Sequence, residues 1–167
     1  LARKNSAQLE PSLIKLSSLM RYMLYEADAE KVPLHREAEY LQSYIDLQQQ
    51  RFGKNVILNV SLKVADEHCE IEPMLLIPFV ENAFKHGTGL IDQAQIDIYL
   101  ETENNTVLFT VKNKFNPASA EIKDKTSGIG LTNVKRRLNL LYNKRYALHI
   151  ETKDNIFMVS LKLFLTP

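Results

Sequence analysis

The chain has 167 residues, of which 45% are hydrophobic, and a formal net charge of +1. This length and composition suit one well-filled domain, or a domain with a helical extension, so size does not exclude an enzyme. The absence of a basic excess argues against nucleic acid as a partner, and the single cysteine, Cys69, excludes an internal disulfide, which fits a reducing cytoplasmic environment.

The first residues bear on how the chain relates to a membrane. No apolar run approaches the roughly 20 residues that a membrane-spanning helix needs, and the opening segment does not resemble a signal sequence. The chain also begins without Met, inside a helical pattern. We therefore expect a piece of a longer protein, whose membrane anchor lies upstream of these residues.

Two amphipathic helices are predicted at the start of the chain. Apolar residues recur at steps of three and four from Gln8 to Tyr25, and a second helical pattern runs from Glu37 to Phe52, where Gly53 ends it. The link at Val32-Pro33 reads as a turn. Each helix has a narrow apolar stripe that a lone hairpin does not cover. We interpret residues 1–53 as a helical linker that dimerises through a bundle.

Beyond Gly53 the sequence predicts a second domain, residues 54–167. Branched residues predict strands, and Gly, Asn and Asp mark the turns and helix ends. The predicted elements are a strand at Val56–Val64, a helix from Pro73 to His86 ended by Gly87, strands at Gln95–Thr102 and Thr106–Asn113, a helix from Gly128 to Tyr142, and strands at Tyr146–Thr152 and Ile156–Leu165.

Turns are expected at residues 103–105 and 154–155, and residues 114–127, which have few apolar anchors, are interpreted as a lid. The order of elements segregates helices from a largely antiparallel sheet. The predicted fold class is α+β: a two-layer α/β sandwich with a mixed, mostly antiparallel sheet, preceded by the N-terminal helical hairpin.

The segment Pro78–Gly87 carries the most informative side chains. One helical turn separates Glu81 from Lys85 and Asn82 from His86, so two polar columns lie beside an apolar face. The Asn82 carbonyl oxygen is a suitable ligand for Mg²⁺ that phosphates and waters also hold, and Glu81 is placed to orient or deprotonate a nucleophile. Taken alone, the segment is equally open to a plainer interpretation, in which these residues form exposed pairs and a helix cap.

A second candidate segment opens the later helix. Gly128 and Gly130 stand at its start, just before Leu131, and two glycines there let backbone N–H groups approach a phosphate at the partly positive helix terminus. Taken alone, Gly-x-Gly at a helix start is more often just a tight turn. The preceding Glu81-Asn82 helix favours the phosphate interpretation.

Together, these two segments resemble the N box and second glycine box of the sensor histidine kinase ATPase domains, which have the Bergerat (GHKL) fold. Within that superfamily the chain is similar to the autolysin-regulator (LytS-like) branch. The matching runs are Val80-Glu81-Asn82-Ala83-Phe84-Lys85-His86-Gly87 for the N box, and Leu19-Met20-Arg21-Tyr22, Val32-Pro33-Leu34, Glu37-Ala38-Glu39-Tyr40-Leu41 and Gln50-Arg51-Phe52-Gly53 for the linker of that branch.

The resemblance implies an ATP-dependent protein-histidine kinase core of a two-component signalling system. The γ-phosphoryl group would pass from ATP to a histidine and then to a response regulator, with ATP and Mg²⁺ as cofactors. It also implies a homodimer and a cytoplasmic domain of an inner-membrane sensor. The implied catalytic residues are Glu81 and Asn82, with Asn82 as the Mg²⁺ ligand, and the implied ATP-binding residues are Asn82, Lys85, His86, Asn113, Gly128, Gly130 and Leu131.

Two departures from the family pattern accompany this resemblance. The family usually reads Asp-x-Gly where this chain has Asn113-Lys114-Phe115, so a neutral amide oxygen would accept from the adenine amino group. The family's Asn-Pro-His-Phe-type acceptor segment is absent, and His35, His68 and His149 read as structural. We therefore expect no autophosphorylation by this chain alone.

Two alternatives remain open at this point. The first is a degenerate module of the same fold that senses nucleotide or only dimerises, with weak or no kinase activity. The second is another ATPase of the fold, such as an anti-sigma-factor serine kinase, against which the helical hairpin argues.

Overall fold

The computed structural model describes residues 2–65, 68–89, 91–116 and 129–165. The predicted lid lies outside these residues except for its first three positions, and Gly128 lies outside them as well. The described elements place a helical hairpin before a five-stranded sheet that carries two further helices.

The hairpin consists of α1 (Ala2–Tyr25) and α2 (Leu34–Phe52), which contact each other along their length. Tyr22 stacks on Tyr40 with ring centroids 4.6 Å apart. Gly53 ends α2 with a φ of +58°, a left-handed conformation that glycine adopts without strain. Among the α1 side chains that the structure describes, eight large hydrophobic ones are exposed: Leu9, Leu13, Ile14, Leu16, Met20, Met23, Leu24 and Tyr25.

The link between α1 and α2 is not the turn that the sequence predicted. Val32–Pro33 forms a short strand, β1, which pairs antiparallel with β3 (Glu70–Ile71). Val32 and its partner Ile71 are both buried, so burial against a distant segment decides this conformation. The small sheet ties the hairpin to the chain that enters the third helix.

The main sheet has five strands in the order β2-β4-β5-β7-β6. Its β2–β4 pair is parallel and the other three pairs are antiparallel, as the mixed, mostly antiparallel prediction requires. Left-handed residues at 104–105 and 154–155 form the two predicted hairpin turns. The strands are β2 (Val56–Lys63), β4 (Ala94–Glu103), β5 (Thr106–Lys114), β6 (Tyr146–Lys153) and β7 (Ile156–Phe164).

Helices α3 (Ile77–His86) and α4 (Ile129–Tyr142) contact each other and contribute buried side chains to the core that also covers one face of the sheet. The prediction that α3 begins at Pro73 is wrong. Met74 has a φ of +56°, so the chain turns there, and Pro78 occupies the first helical turn, where a missing N–H is tolerated. The fold is the predicted two-layer α/β sandwich with its N-terminal helical hairpin.

Candidate functional site

Helix α3 is held on two sides by aromatic contacts. Phe79 meets Phe109 of the sheet at 6.2 Å, and Phe84 meets Tyr44 and Phe52 of α2 at 6.0 and 6.2 Å between ring centroids. These side chains fix the rotation of the helix, because an apolar face in contact with two layers cannot turn without losing both. The polar columns at residues 81, 82, 85 and 86 therefore lie off the buried face.

Glu81 and His86 have pKa values shifted by their surroundings. Burial raises the pKa of the Glu81 carboxyl above its ordinary value, which strengthens it as a proton acceptor near neutral pH. Burial, and then the charge of Lys85, lower the pKa of His86. The His86 imidazole is accordingly neutral at pH 7, and Lys85 is the cation of this group.

Asn82 is half-buried, and its side chain makes no hydrogen bond within the described parts of the chain. Its amide is therefore available to a ligand. Those parts also contain no group of three or more His, Cys, Asp or Glu residues that could hold a metal ion. A divalent cation at α3 would therefore need most of its oxygen ligands from a bound phosphate compound and from water. Mg²⁺ bound to a nucleotide has such a set of ligands.

Asn113 is the polar end of a buried row on β5. Because side chains alternate along a strand, Val107, Phe109, Val111 and Asn113 share the face that packs against the helices, and Asn113 is 2% exposed. It lies near the end of the central strand of the sheet, opposite Ile96 on β4 and Phe157 on β7. An amide in such a row needs hydrogen-bond partners.

The Asn113 amide has a fixed orientation. Its Nδ2 donates to the Lys114 carbonyl oxygen at 2.9 Å, so Oδ1 points the other way. Oδ1 is buried and accepts no hydrogen bond within the described parts of the chain. A ligand that brings an N–H donor to this point would satisfy it, and the exocyclic amino group of adenine is such a donor.

Gly87 joins α3 to Asn113. A Cβ atom added at Gly87 would lie 2.5 Å from the Ala83 carbonyl oxygen and 2.7 Å from the Asn113 Cβ. Only glycine permits this approach of the α3 terminus to β5. Sequence reasoning assigned Gly87 the end of the helix and missed this second role, for which the only signal was its place directly after the polar columns.

Two further candidate residues, Gly130 and Leu131, lie in the first turn of α4. Gly130 is exposed, and an added Cβ there would meet no atom of the described residues within 4 Å. Leu131 is partly buried against the hydrophobic core. Because α3 and α4 are in contact and Gly87 touches Asn113, the structure brings three of the predicted segments together. Gly128 lies outside the described residues.

Comparison with known proteins identifies the family and the fold of this chain. Residues 1–56 match the family model described as Histidine kinase. The chain is 31% identical to the sensor protein LytS of Oceanobacillus iheyensis, over 95% of this chain and 29% of that protein. It is a homologue of the LytS-like sensor histidine kinases. As such a homologue it spans less than a third of the length of the LytS protein that it matches.

Two solved structures show that the fold is that of a histidine kinase catalytic domain. The nucleotide-free catalytic domain of histidine kinase ThkA has a TM-score of 0.57 at 18% identity, covering 82% of this chain and 95% of that chain. ThkA in complex with the response regulator protein TrrA has a TM-score of 0.53 at 17% identity, covering 93% and 48%. No helix of this LytS homologue, within its described residues, is long and apolar enough to cross a membrane.

Proposed function

We propose that this chain is the ATP-dependent core of a two-component protein-histidine kinase. The single observation that carries the proposal is the buried Oδ1 of Asn113, which accepts no hydrogen bond from the described residues. Asn113 packs against Gly87 at the end of α3 through its Cβ and Nδ2 atoms. Adenine would donate its amino group to this oxygen, and the phosphates would extend along α3 toward α4.

Each candidate residue has a specific role in this proposal. Asn82 would supply one oxygen to a Mg²⁺ ion that neutralises charge on the phosphates. Glu81 would orient or deprotonate the accepting imidazole, and its raised pKa suits that role. Lys85 and neutral His86 would lie near the phosphates. Gly128 and Gly130 would border the triphosphate, and Leu131 is proposed as a further ATP-binding residue.

The division of the chain into two segments, and the partners of the protein, are part of the same proposal. Residues 1–53 would form a dimerisation and linker segment, and 54–167 the ATP-binding domain. The exposed apolar side chains of α1 favour a homodimer. A response regulator would receive the phosphoryl group, as the ThkA–TrrA complex suggests by analogy. The accepting histidine is expected outside these 167 residues, in a longer sensor anchored in the inner membrane.

A second candidate is a degenerate module of the same fold with weak or no kinase activity. The neutral amide at Asn113 favours it, because a hydrogen bond to a neutral acceptor is weaker than one to a carboxylate. Phe115, where the family has glycine, adds bulk beside that position.

Titration with a fluorescent ATP analogue separates these candidates. The kinase proposal predicts saturable binding that Mg²⁺ strengthens, with the Mg²⁺ effect lost in Asn82→Ala. In the longer protein, Asn82→Ala should slow phosphotransfer by about 100-fold or more, because metal neutralisation of phosphate charge contributes several kcal/mol. The matched control is Asn59→Ala, which removes a side-chain amide from the exposed part of β2. Absence of saturable binding by the wild type at millimolar nucleotide would contradict the kinase proposal.

A further inference from the structure

Glu37 is a carboxyl that the proposed phosphotransfer does not use, and it is completely buried. It lies on α2 in line with Leu41 and Ile45, which are also buried. A buried carboxyl is expensive unless other groups compensate it. Two groups donate hydrogen bonds to Glu37, and a third holds the turn that one of them belongs to.

The first group is the Tyr22 hydroxyl of α1, which donates to Glu37 Oε1. Tyr22 is itself buried, and its ring stacks on Tyr40 of α2. This hydrogen bond links the position of α1 to one carboxyl oxygen of Glu37 on α2. Burial, and then the adjacent carboxyl, raise the pKa of Tyr22, so the hydroxyl keeps its proton.

The second group is the backbone N–H of Met74, which donates to the same Oε1 at 2.6 Å. Met74 has a φ of +56°, a conformation that residues other than Gly, Asn and Asp seldom adopt. It stands just before α3, so the direction in which α3 leaves the turn depends on this residue.

The third group holds the same turn from α4. Arg137 donates to the carbonyl oxygens of Pro73 at 2.7 Å and Met74 at 3.2 Å. The Tyr142 hydroxyl lies against the Glu72 carboxyl. Burial is the larger cause of the raised pKa of Tyr142, and the Glu72 carboxyl is the second cause. The turn at 72–74 is therefore held by Glu37 from the hairpin and by α4 from the sheet domain.

We propose that Glu37 is a positioning residue for the nucleotide site: through Tyr22 and Met74 it sets the orientation of α3 according to the position of α1. This inference rests on the proposed function, because α3 and α4 are the helices that would hold the nucleotide. A shift of α1 relative to α2 would move or release the Tyr22 hydroxyl, loosen the Met74 turn, and displace Asn82.

Two measurements test this inference in the 167-residue chain. Amide hydrogen exchange over residues 74–86 reports the turn and α3 without any nucleotide, and the dissociation constant of a fluorescent ATP analogue with Mg²⁺ reports the site. Glu37→Leu should accelerate exchange over 74–86 and weaken binding by about two- to thirtyfold, the usual range for coupling between distant positions. Glu37→Gln keeps an oxygen for the Met74 N–H and should retain most of the affinity.

Tyr22→Phe is a second variant, needed if Glu37→Leu does not fold. It removes one hydroxyl, leaves the stacked ring, and should alter exchange at 74–86 although Tyr22 lies on α1. The controls are Glu39→Leu, an exposed carboxyl on α2, and Tyr25→Phe, whose side chain is 78% exposed on α1. Neither control should change exchange over 74–86 or nucleotide affinity.

The outcomes separate this inference from the proposed function. No nucleotide binding by the wild type would overturn the proposed function, and this inference with it. Wild-type binding that Glu37→Leu and Tyr22→Phe both leave unchanged would overturn this inference alone. Uniformly faster exchange across the chain, without a specific effect at 74–86, would also overturn it, because general destabilisation would then explain any loss of affinity.

Discussion

Asn82 and Asn113 are the two side-chain amides of the candidate site, and they lie in opposite environments. Asn82 is half-buried on the polar side of α3, and within the described residues nothing holds its amide. Asn113 is 2% exposed on the central strand of the sheet, and the Lys114 carbonyl fixes its orientation. The first amide can adjust to a ligand, whereas the second is oriented before any ligand arrives.

This difference separates two ways in which a substitution can affect the protein. On the polar side of α3, side chains contribute little to the core, so changes there should alter chemistry more than stability. At the β5 end, the amide is part of the packed core, so changes should alter stability and binding together.

The largest expected effect lies at the α3 end, at Glu81. In the longer protein that contains its acceptor histidine, Glu81→Gln should lower the phosphotransfer rate by about 100- to 10,000-fold if Glu81 is the proton acceptor. Urea unfolding should change by no more than about 0.5 kcal/mol, because Glu81 as a whole residue is exposed and its carboxyl is only partly shielded from water.

The pH dependence gives an independent check on Glu81. Its pKa is raised by burial, so the carboxylate is lost at a higher pH than an ordinary carboxyl would be. The wild-type rate should therefore fall as the pH is lowered through this raised pKa, and the residual rate of Glu81→Gln should not show that step. An identical pH profile in both proteins would mean that Glu81 accepts no proton.

The next largest effect is expected at Gly87, where the end of α3 contacts Asn113 of β5. Gly87→Ala would place a Cβ 2.5 Å from the Ala83 carbonyl oxygen and 2.7 Å from the Asn113 Cβ, so backbone or sheet must move. The expected loss is about 1–3 kcal/mol in the free energy of unfolding, the usual cost of overpacking, measured by urea denaturation.

Gly130→Ala is the matched control, because the added methyl group there meets no atom of the described residues within 4 Å. Stability should be unchanged or improved by up to about 1 kcal/mol, since alanine is favoured over glycine in helices. Weaker binding of ATP by this stable variant would support a close approach of phosphate to the α4 backbone. Equal destabilisation by the two substitutions would contradict the account of Gly87.

The smallest effect is expected for Asn113→Asp. The carboxylate would strengthen the hydrogen bond from adenine by about 1 kcal/mol, or roughly fivefold in affinity. It would also lose the Nδ2 donor and face the Lys114 carbonyl oxygen, so the ligand-free protein should be less stable. Affinity and melting temperature should thus move in opposite directions, and a fall in both would mean that Asn113 does not contact adenine.

Local signals in the sequence predicted most of the fold. The Asn104-Asn105 and Asp154-Asn155 turns were predictable because these residues tolerate left-handed backbone without help from distant parts of the chain. The apolar face of α3 was predictable from its spacing, which also placed Glu81 and Asn82 on the polar side.

Features that depend on distant segments were not predictable in the same way. Val32–Pro33 became a strand because Glu70–Ile71 pairs with it, and α3 begins at Ile77 because Glu37 and Arg137 hold Met74 in a turn. The contact between Gly87 and Asn113 joins residues from different elements. Glu37 did carry a signal, since its four-residue spacing from Leu41 and Ile45 places it on their buried face.

The parallel pairing of β2 with β4 bears on how the site is assembled during folding. Antiparallel neighbours such as β4–β5 and β6–β7 close through tight turns, whereas β2 must find β4 across a long crossing that contains all of α3. Closing such a loop costs chain entropy before its contacts compensate. We expect a chain that has formed only its hairpins to hold no nucleotide, so that nucleotide binding during refolding would mark completion of the sheet.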